Sequence, residues 1–132
     1  MNEALTAIRD YYKAFSTLEL NACLPFFTQP CMFVGLQGTF AVASREDLAR
    51  VLGPIVETLK TKDYQRSEFL EPQLTTVTEN TALVRGVAVR YRASGTEMER
   101  VPVSYLMHQA EDCCRSFGVE LSVRTRPVGS KR

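Results

Sequence analysis

His108 is the only histidine of the chain, and it follows Ser104 by four residues. On a regular strand that spacing puts both side chains on one face. If that face is concave, the imidazole could take or give a proton near neutral pH beside a hydroxyl. The plainer reading, a strand-end histidine at a sheet rim, is preferred. Tyr11 and Tyr12 offer two phenol hydroxyls close to the start of the chain. Tyrosines so placed more often pack in a core with the hydroxyl tied to a neighbour than act as donors in a reaction. Cys31 shares alternation parity with Phe33 and Gly35 and would line any hollow on that side. No base is expected beside it, so nothing activates the thiol. Arg85, Arg90, Arg92 and Arg100 make one stretch locally basic. One of them could clamp a carboxylate through paired hydrogen bonds. Solvation, or cross-strand pairing with Glu97, Glu99 or Glu120, is the preferred reading.

Several chemistries are absent from the pattern. There is no Gly-rich phosphate loop, no His-Glu-x-x-His helix and no calcium-loop pattern. The four cysteines, Cys23, Cys31, Cys113 and Cys114, include no Cys-x-x-Cys pair. Neighbours on a strand point to opposite faces, so Cys113 and Cys114 are poorly placed to share a metal. Reduced thiols without a metal or cofactor are expected. Sixteen Lys and Arg stand against fifteen Asp and Glu, a net charge of +1. That balance creates no field to gather nucleic acid or an anionic membrane, and no aromatic platform accompanies the arginines. The first residues lack the basic start and apolar run of a signal peptide. Apolar stretches fall far short of the roughly 20 residues needed to span a bilayer. The expected setting is the cytoplasm, with neither nucleic acid nor membrane as partner.

The elements that must position these residues follow from periodicity. Leu5, Ile8, Tyr12 and Phe15 step by three, four and three along one helix stripe, widened by Ala4, Tyr11 and Leu18. Leu20 to Leu24 suits a short second helix that Pro25 ends or bends. Pro30 confines regular pairing to Cys31–Val34, and Gly35 and Gly38 mark a turn or bulged strand end. Ser44 is a good N-cap, with Asp47 as the acidic partner of a capping box. Leu48, Val51, Leu52, Ile55, Val56 and Leu59 then recur at helical spacing, and Pro54 predicts a kink near Arg50. From about Tyr64 the period becomes two. Strands are predicted at 70–77, 82–92, 100–109 and 117–125, with turns at Glu79-Asn80, Ser94-Gly95 and Glu111-Asp112. Gly86 in mid-strand marks a bulge or bend. The 132 residues fit one domain over 1–125, with 126–132 as a flexible basic tail. Helices first and an antiparallel meander last is an α+β pattern.

In order and spacing the chain resembles the nuclear transport factor 2-like superfamily, which includes SnoaL-like cyclases and ketosteroid isomerases, and is most like small bacterial members. The resemblance rests on Tyr11-Tyr12-Lys13-Ala14-Phe15, Leu24-Pro25-Phe26-Phe27, Pro30-Cys31-Met32-Phe33 leading to Gly38, and Ser44-Arg45-Glu46-Asp47-Leu48. It continues through Ala82-Leu83-Val84, Arg90-Tyr91-Arg92 and Tyr105-Leu106, so it spans nearly the whole chain. Where such members carry a Gly-Trp-Lys-Ile-like strand, this chain has Cys114-Arg115-Ser116-Phe117.

The resemblance implies a cone-shaped α+β domain, with three N-terminal helices packed on a strongly curved antiparallel sheet that is mixed at its edge. It also implies a pocket between the first helix and the concave face. Tyr12, Phe15, Cys31, Phe33, Leu52, Val56 and Leu106 are its expected lining. The superfamily commonly forms homodimers through the outer sheet face, which is expected here as well. For the ketosteroid isomerase reaction the tyrosine falls on Tyr11, but the carboxylate base falls on Gly35 and the second acid on Ser104. Two of three roles have lost their carboxyl group, so that mechanism is not expected. Three functions remain open: a module binding a small apolar ligand, a SnoaL-like or isomerase-like enzyme using Tyr11, Ser104 and His108, and a non-catalytic dimeric interaction module.

Overall fold

The computed structural model describes residues 2–35, 38–109 and 115–122. The tail, Cys113 and Cys114, the predicted turn at Glu111-Asp112 and the end of the last predicted strand lie outside them. Three helices, α1 (Asn2–Ser16), α2 (Leu20–Cys23) and α3 (Arg45–Lys60), precede or interrupt six strands. These are β1 (Phe27–Gly35), β2 (Gly38–Val42), β3 (Tyr64–Thr78), β4 (Thr81–Arg92), β5 (Glu97–Gln109) and β6 (Arg115–Ser122). They form one sheet in the order β2-β1-β6-β5-β4-β3. Every pairing is antiparallel except β1 with β6, which run parallel. The α+β class with a mixed sheet is therefore as expected.

Ala4, Ala7, Ile8, Tyr11, Tyr12 and Phe15 of α1 are buried, the helical stripe that lies over β3 and also meets β4 and β6. The helix stops two residues before Leu18, which was expected to extend the stripe. Leu18 instead takes a positive φ of 58°, and its amide donates to Phe15 O at 2.9 Å. A left-handed residue at this place ends a helix by capping its last carbonyls. A single 3₁₀ turn (Leu24–Phe26) with Pro25 in its first positions then delivers the chain into β1.

Ser44 caps α3 by accepting from the Asp47 amide at 3.2 Å. The reciprocal arm of the capping box is missing, because the Asp47 carboxylate is taken by Arg50 one turn on. Leu48, Leu52, Val56 and Leu59 form the buried stripe, while Ile55 is exposed. Pro54 sits inside the helix without interrupting it and is exposed. Its missing donor and ring clash fall on the solvent side, where water can serve the orphaned carbonyl.

Pro30, which argued for a short strand, and Pro72, inside the strand predicted at 70–77, both lie in irregularities of longer strands. Pro30 falls where the β1–β6 register shifts between Phe27 and Met32. Pro72 falls in the β3 bulge between Leu70 and Gln73, beside Glu71 at a φ of 54°. A bulge absorbs the missing donor and bends the strand. Across that bulge lies Gly86 of β4. A Cβ there would sit 2.5 Å from Phe69 Cζ and 2.9 Å from the Leu70 carbonyl oxygen. The glycine lets the Phe69 ring lie directly on the neighbouring backbone at the bend, and this fixes the concave side beneath α1. The β2 strand was not predicted; it returns from β1 with Gly35 paired to Gly38, whose φ of +127° suits glycine.

Candidate functional site

Sheet alternation decides which side chains face α1. On β5, Val101, Val103, Tyr105 and Met107 are buried, whereas Pro102 and His108 are exposed and Ser104 and Leu106 only half-buried. Register carries the same parity to β4, where Ala88 pairs with Val101 and Val84 with Tyr105. The side of Val103 and Tyr105 is thus the concave one. Between it and α1 lies a cavity of about 80 Å³. Its walls are Tyr11, Tyr12 and Phe15 from α1, Ser67 from β3, Ala88 and Arg90 from β4, and Glu99, Val101, Val103 and Tyr105 from β5.

The inner end is aromatic and tightly tied. Tyr12 and Tyr105 share a buried hydroxyl–hydroxyl hydrogen bond of 2.6 Å. Their rings meet edge to face at 6.3 Å between centroids, and each also packs against Phe69, at 5.6 and 5.8 Å. Tyr11 makes further edge contacts with Tyr12 and Phe27. Such pairs each add about 0.5–1.5 kcal/mol beyond simple burial. The cluster is therefore rigid as well as apolar, and the Tyr12–Tyr105 hydrogen bond keeps polar groups within it.

The outer end is polar. Arg90 Nη1 donates to Glu99 at 2.7 Å, and both side chains keep 25% of their exposure. The guanidinium also lies 5.5 Å from the Phe15 ring centre, within range of a cation–π attraction. Beside it, Ser16 Oγ donates to the Tyr12 carbonyl at 2.7 Å and accepts from the Ser67 amide at 2.9 Å. Tyr64 and Ser67 hydroxyls are 2.7 Å apart. This chain pins the end of α1 to the edge of β3 and sets the width of the rim.

The sequence-derived candidates divide between these surroundings. Tyr11, Tyr12 and Phe15 line the cavity. Ser104 and His108 do share one face, but it is the convex one, away from α1, and Leu106 lies with them. Ser104 instead borders a shallow groove on that outer side with Glu71, Gln73 and Arg85. The inward neighbours of Ser104 are Val103 and Tyr105, so no carboxyl group stands at that point of the cavity wall either. Cys31, Leu52 and Val56 are buried in the main core, and Phe33 packs at its margin on Phe27, 5.4 Å away. None of these four borders the cavity. Burial pushes the thiol of Cys23, also in the core, up to about 11.

Of the arginines, Arg90 pairs with Glu99, Arg100 with Glu97, and Arg85 reaches Gln73. Hydrogen bonds from Arg100 hold the Glu97 carboxyl below the usual carboxylate range. Five cavity residues were not singled out for a site in the sequence: Ser67, Ala88, Val101, Val103 and Tyr105; Arg90 and Glu99 entered only as one of four arginines that could clamp a carboxylate and one of its possible cross-strand partners. The uninterrupted apolar series at 101, 103, 105 and 107, set against Pro102, Ser104 and His108, carries the signal that would have oriented β5. Among the described residues no group of three His, Cys, Asp or Glu side chains could hold a metal ion. No described helix is long and apolar enough to cross a membrane.

A helix laid over a bent mixed sheet, with a cavity between them, is the arrangement of the NTF2-like, cystatin-like class. The chain belongs to the NTF2-like protein family (DUF6841), whose model matches residues 2–120. No curated protein matches its sequence. Among solved structures it is similar to a cystatin-like protein of unknown function from Nostoc punctiforme, at a TM-score of 0.77 and 9% identity over 92% of this chain and 87% of the other. An NTF2-like protein from Novosphingobium aromaticivorans gives 0.76 and 16% identity over 98% of this chain and 82% of the other. A protein from Catenulispora acidiphila, solved in complex with S-DNPA, gives 0.72 and 16% identity over 92% and 90%. At such identities the likeness is one of fold.

Proposed function

We propose that this domain binds a small, largely apolar molecule in the cavity between α1 and the concave face of β3–β5. The observation that carries the reading is the gradient along the cavity, from the buried Tyr12–Tyr105 pair to the half-exposed Arg90–Glu99 pair. Apolar walls with a few convergent polar groups are the usual form of a ligand site. The similar Catenulispora protein, solved in complex with S-DNPA, is consistent with it. The test is binding of single-ring aromatic probes followed by ligand-observed NMR. Ala88→Leu should fill the cavity and weaken binding at least tenfold while the fold is retained. If no probe binds, or Ala88→Leu binds as well as the parent, the cavity is not a ligand site.

Self-association through the outer sheet face belongs to the same proposal. Leu83, Val87 and Leu106 lie there only half-buried, beside exposed Pro102, and a second copy would cover them. A dimer at micromolar concentration by light scattering, reduced to a monomer by Leu106→Glu, is the expected result. A monomer at that concentration removes it.

A further inference from the structure

We infer that the ligand is a neutral single-ring or comparably small molecule with a carbonyl-type oxygen that accepts from Arg90, and that Glu99 makes the site reject carboxylates. The inference rests on the cavity being a ligand site and specifies what that site selects.

Size comes first. The cavity holds about 80 Å³, roughly half of an engineered apolar cavity of about 150 Å³ that takes up benzene. A single ring with its substituent projecting to the rim is therefore the upper limit on size, and a fused polycyclic ligand is excluded. The rim is where Arg90 stands. Arg90 borders the cavity, and its side chain is three-quarters withdrawn from solvent. It makes one hydrogen bond, through Nη1 to Glu99, and rests on the Phe15 face. A guanidinium has five N–H donors, and no acceptor among the described residues takes the others. Half-buried donors without acceptors are costly, so an oxygen entering the rim is favoured there.

Charge then chooses between oxygens. Glu99 already neutralises Arg90 at 2.7 Å. An incoming carboxylate would either sit beside the Glu99 carboxylate at this partly buried rim or displace it from Arg90. The first places two like charges around one cation. The second breaks the 2.7 Å Arg90–Glu99 pair, which is partly buried. A ketone, aldehyde, ester or amide oxygen meets neither cost, and it gains a hydrogen bond from a charged donor.

Acetophenone and benzoate have nearly the same shape and differ in charge, and toluene supplies the ring alone. Dissociation constants of the three for the whole protein, by NMR titration, form the test. Acetophenone is expected to bind at least tenfold more tightly than benzoate, and also more tightly than toluene. Arg90→Met should remove about tenfold or more of acetophenone affinity, in line with a hydrogen bond to a charged group, and leave toluene unchanged. Glu99→Gln should raise benzoate affinity about tenfold or more. Benzoate binding as tightly as acetophenone to the parent protein overturns the inference even if neither variant folds. So does acetophenone binding that matches toluene and ignores Arg90→Met. In both cases bound toluene leaves the cavity reading standing. If none of the three binds, the cavity reading fails, and this inference with it.

Discussion

The two faces of β5 differ by one residue of register and by nearly everything else. Inward, Val101, Val103, Tyr105 and Met107 are buried, and the first three of them form the cavity wall with a helix more than eighty residues away in sequence, Tyr12 bonding Tyr105. Outward, Arg100, Pro102 and His108 are exposed, and Arg100 bonds to Glu97 three residues earlier. The inner face is made of long-range packing and the outer face of local, solvent-facing pairs. Polarity of residue type therefore says little about chemical opportunity here. Ser104 and His108 carry the more reactive groups, yet the tyrosines opposite them are the ones brought to a cavity.

Five substitutions can break or sharpen that contrast, each read by urea unfolding. The largest effect belongs to Phe69→Ala, which deletes the ring shared by Tyr12 and Tyr105 beneath α1. A loss of about 3–5 kcal/mol is expected; under 1 kcal/mol would mean that the aromatic cluster does not carry the fold. Gly86→Ala comes next. Its Cβ would meet Phe69 ring carbons at 2.5 and 2.6 Å with the Leu70 carbonyl oxygen at 2.9 Å. Overpacking against backbone should cost about 1–3 kcal/mol, and a neutral result would show that the bend yields. Tyr12→Phe removes the 2.6 Å hydroxyl contact with Tyr105 and keeps the ring. About 1 kcal/mol is expected, with probe affinity altered as well because the change lies in the cavity wall. The smallest effect is assigned to the outer face. Ser104→Ala and His108→Ala should each stay within about 0.5 kcal/mol and leave probe binding unchanged. A marked loss of binding in either would reverse the assignment of the two faces.

The sequence carried the element order well where one period ran without interruption. The α1 stripe, the Ser44 cap and the hairpin from β4 into β5 all rest on local spacing, and all are present. It was weakest where proline sits inside a strand. Pro30 read as a break, but the neighbouring strands supply enough pairing for an irregularity to absorb it, as the β3 bulge absorbs Pro72. The short β2 gave no independent signal, since its pairing with β1 is what makes it a strand.

For the site, local sequence identified the helical contribution, Tyr11, Tyr12 and Phe15, because helix periodicity names a buried face directly. Alternation could place Ser104 with His108 and Glu99 with Val101 on common faces, yet it does not by itself say which face meets the helix. That choice belongs to the sheet as a whole. It bends at the β3 bulge beside Gly86, and closes one side over α1. Composition and spacing determined an α+β chain with an amphipathic first helix. Cross-strand pairing of Arg90 with Glu99 was already among the readings of the sequence; only tertiary packing decided that the pair would stand at the mouth of a tyrosine-lined cavity, because which sheet face meets the helix depends on curvature that no local pattern encodes.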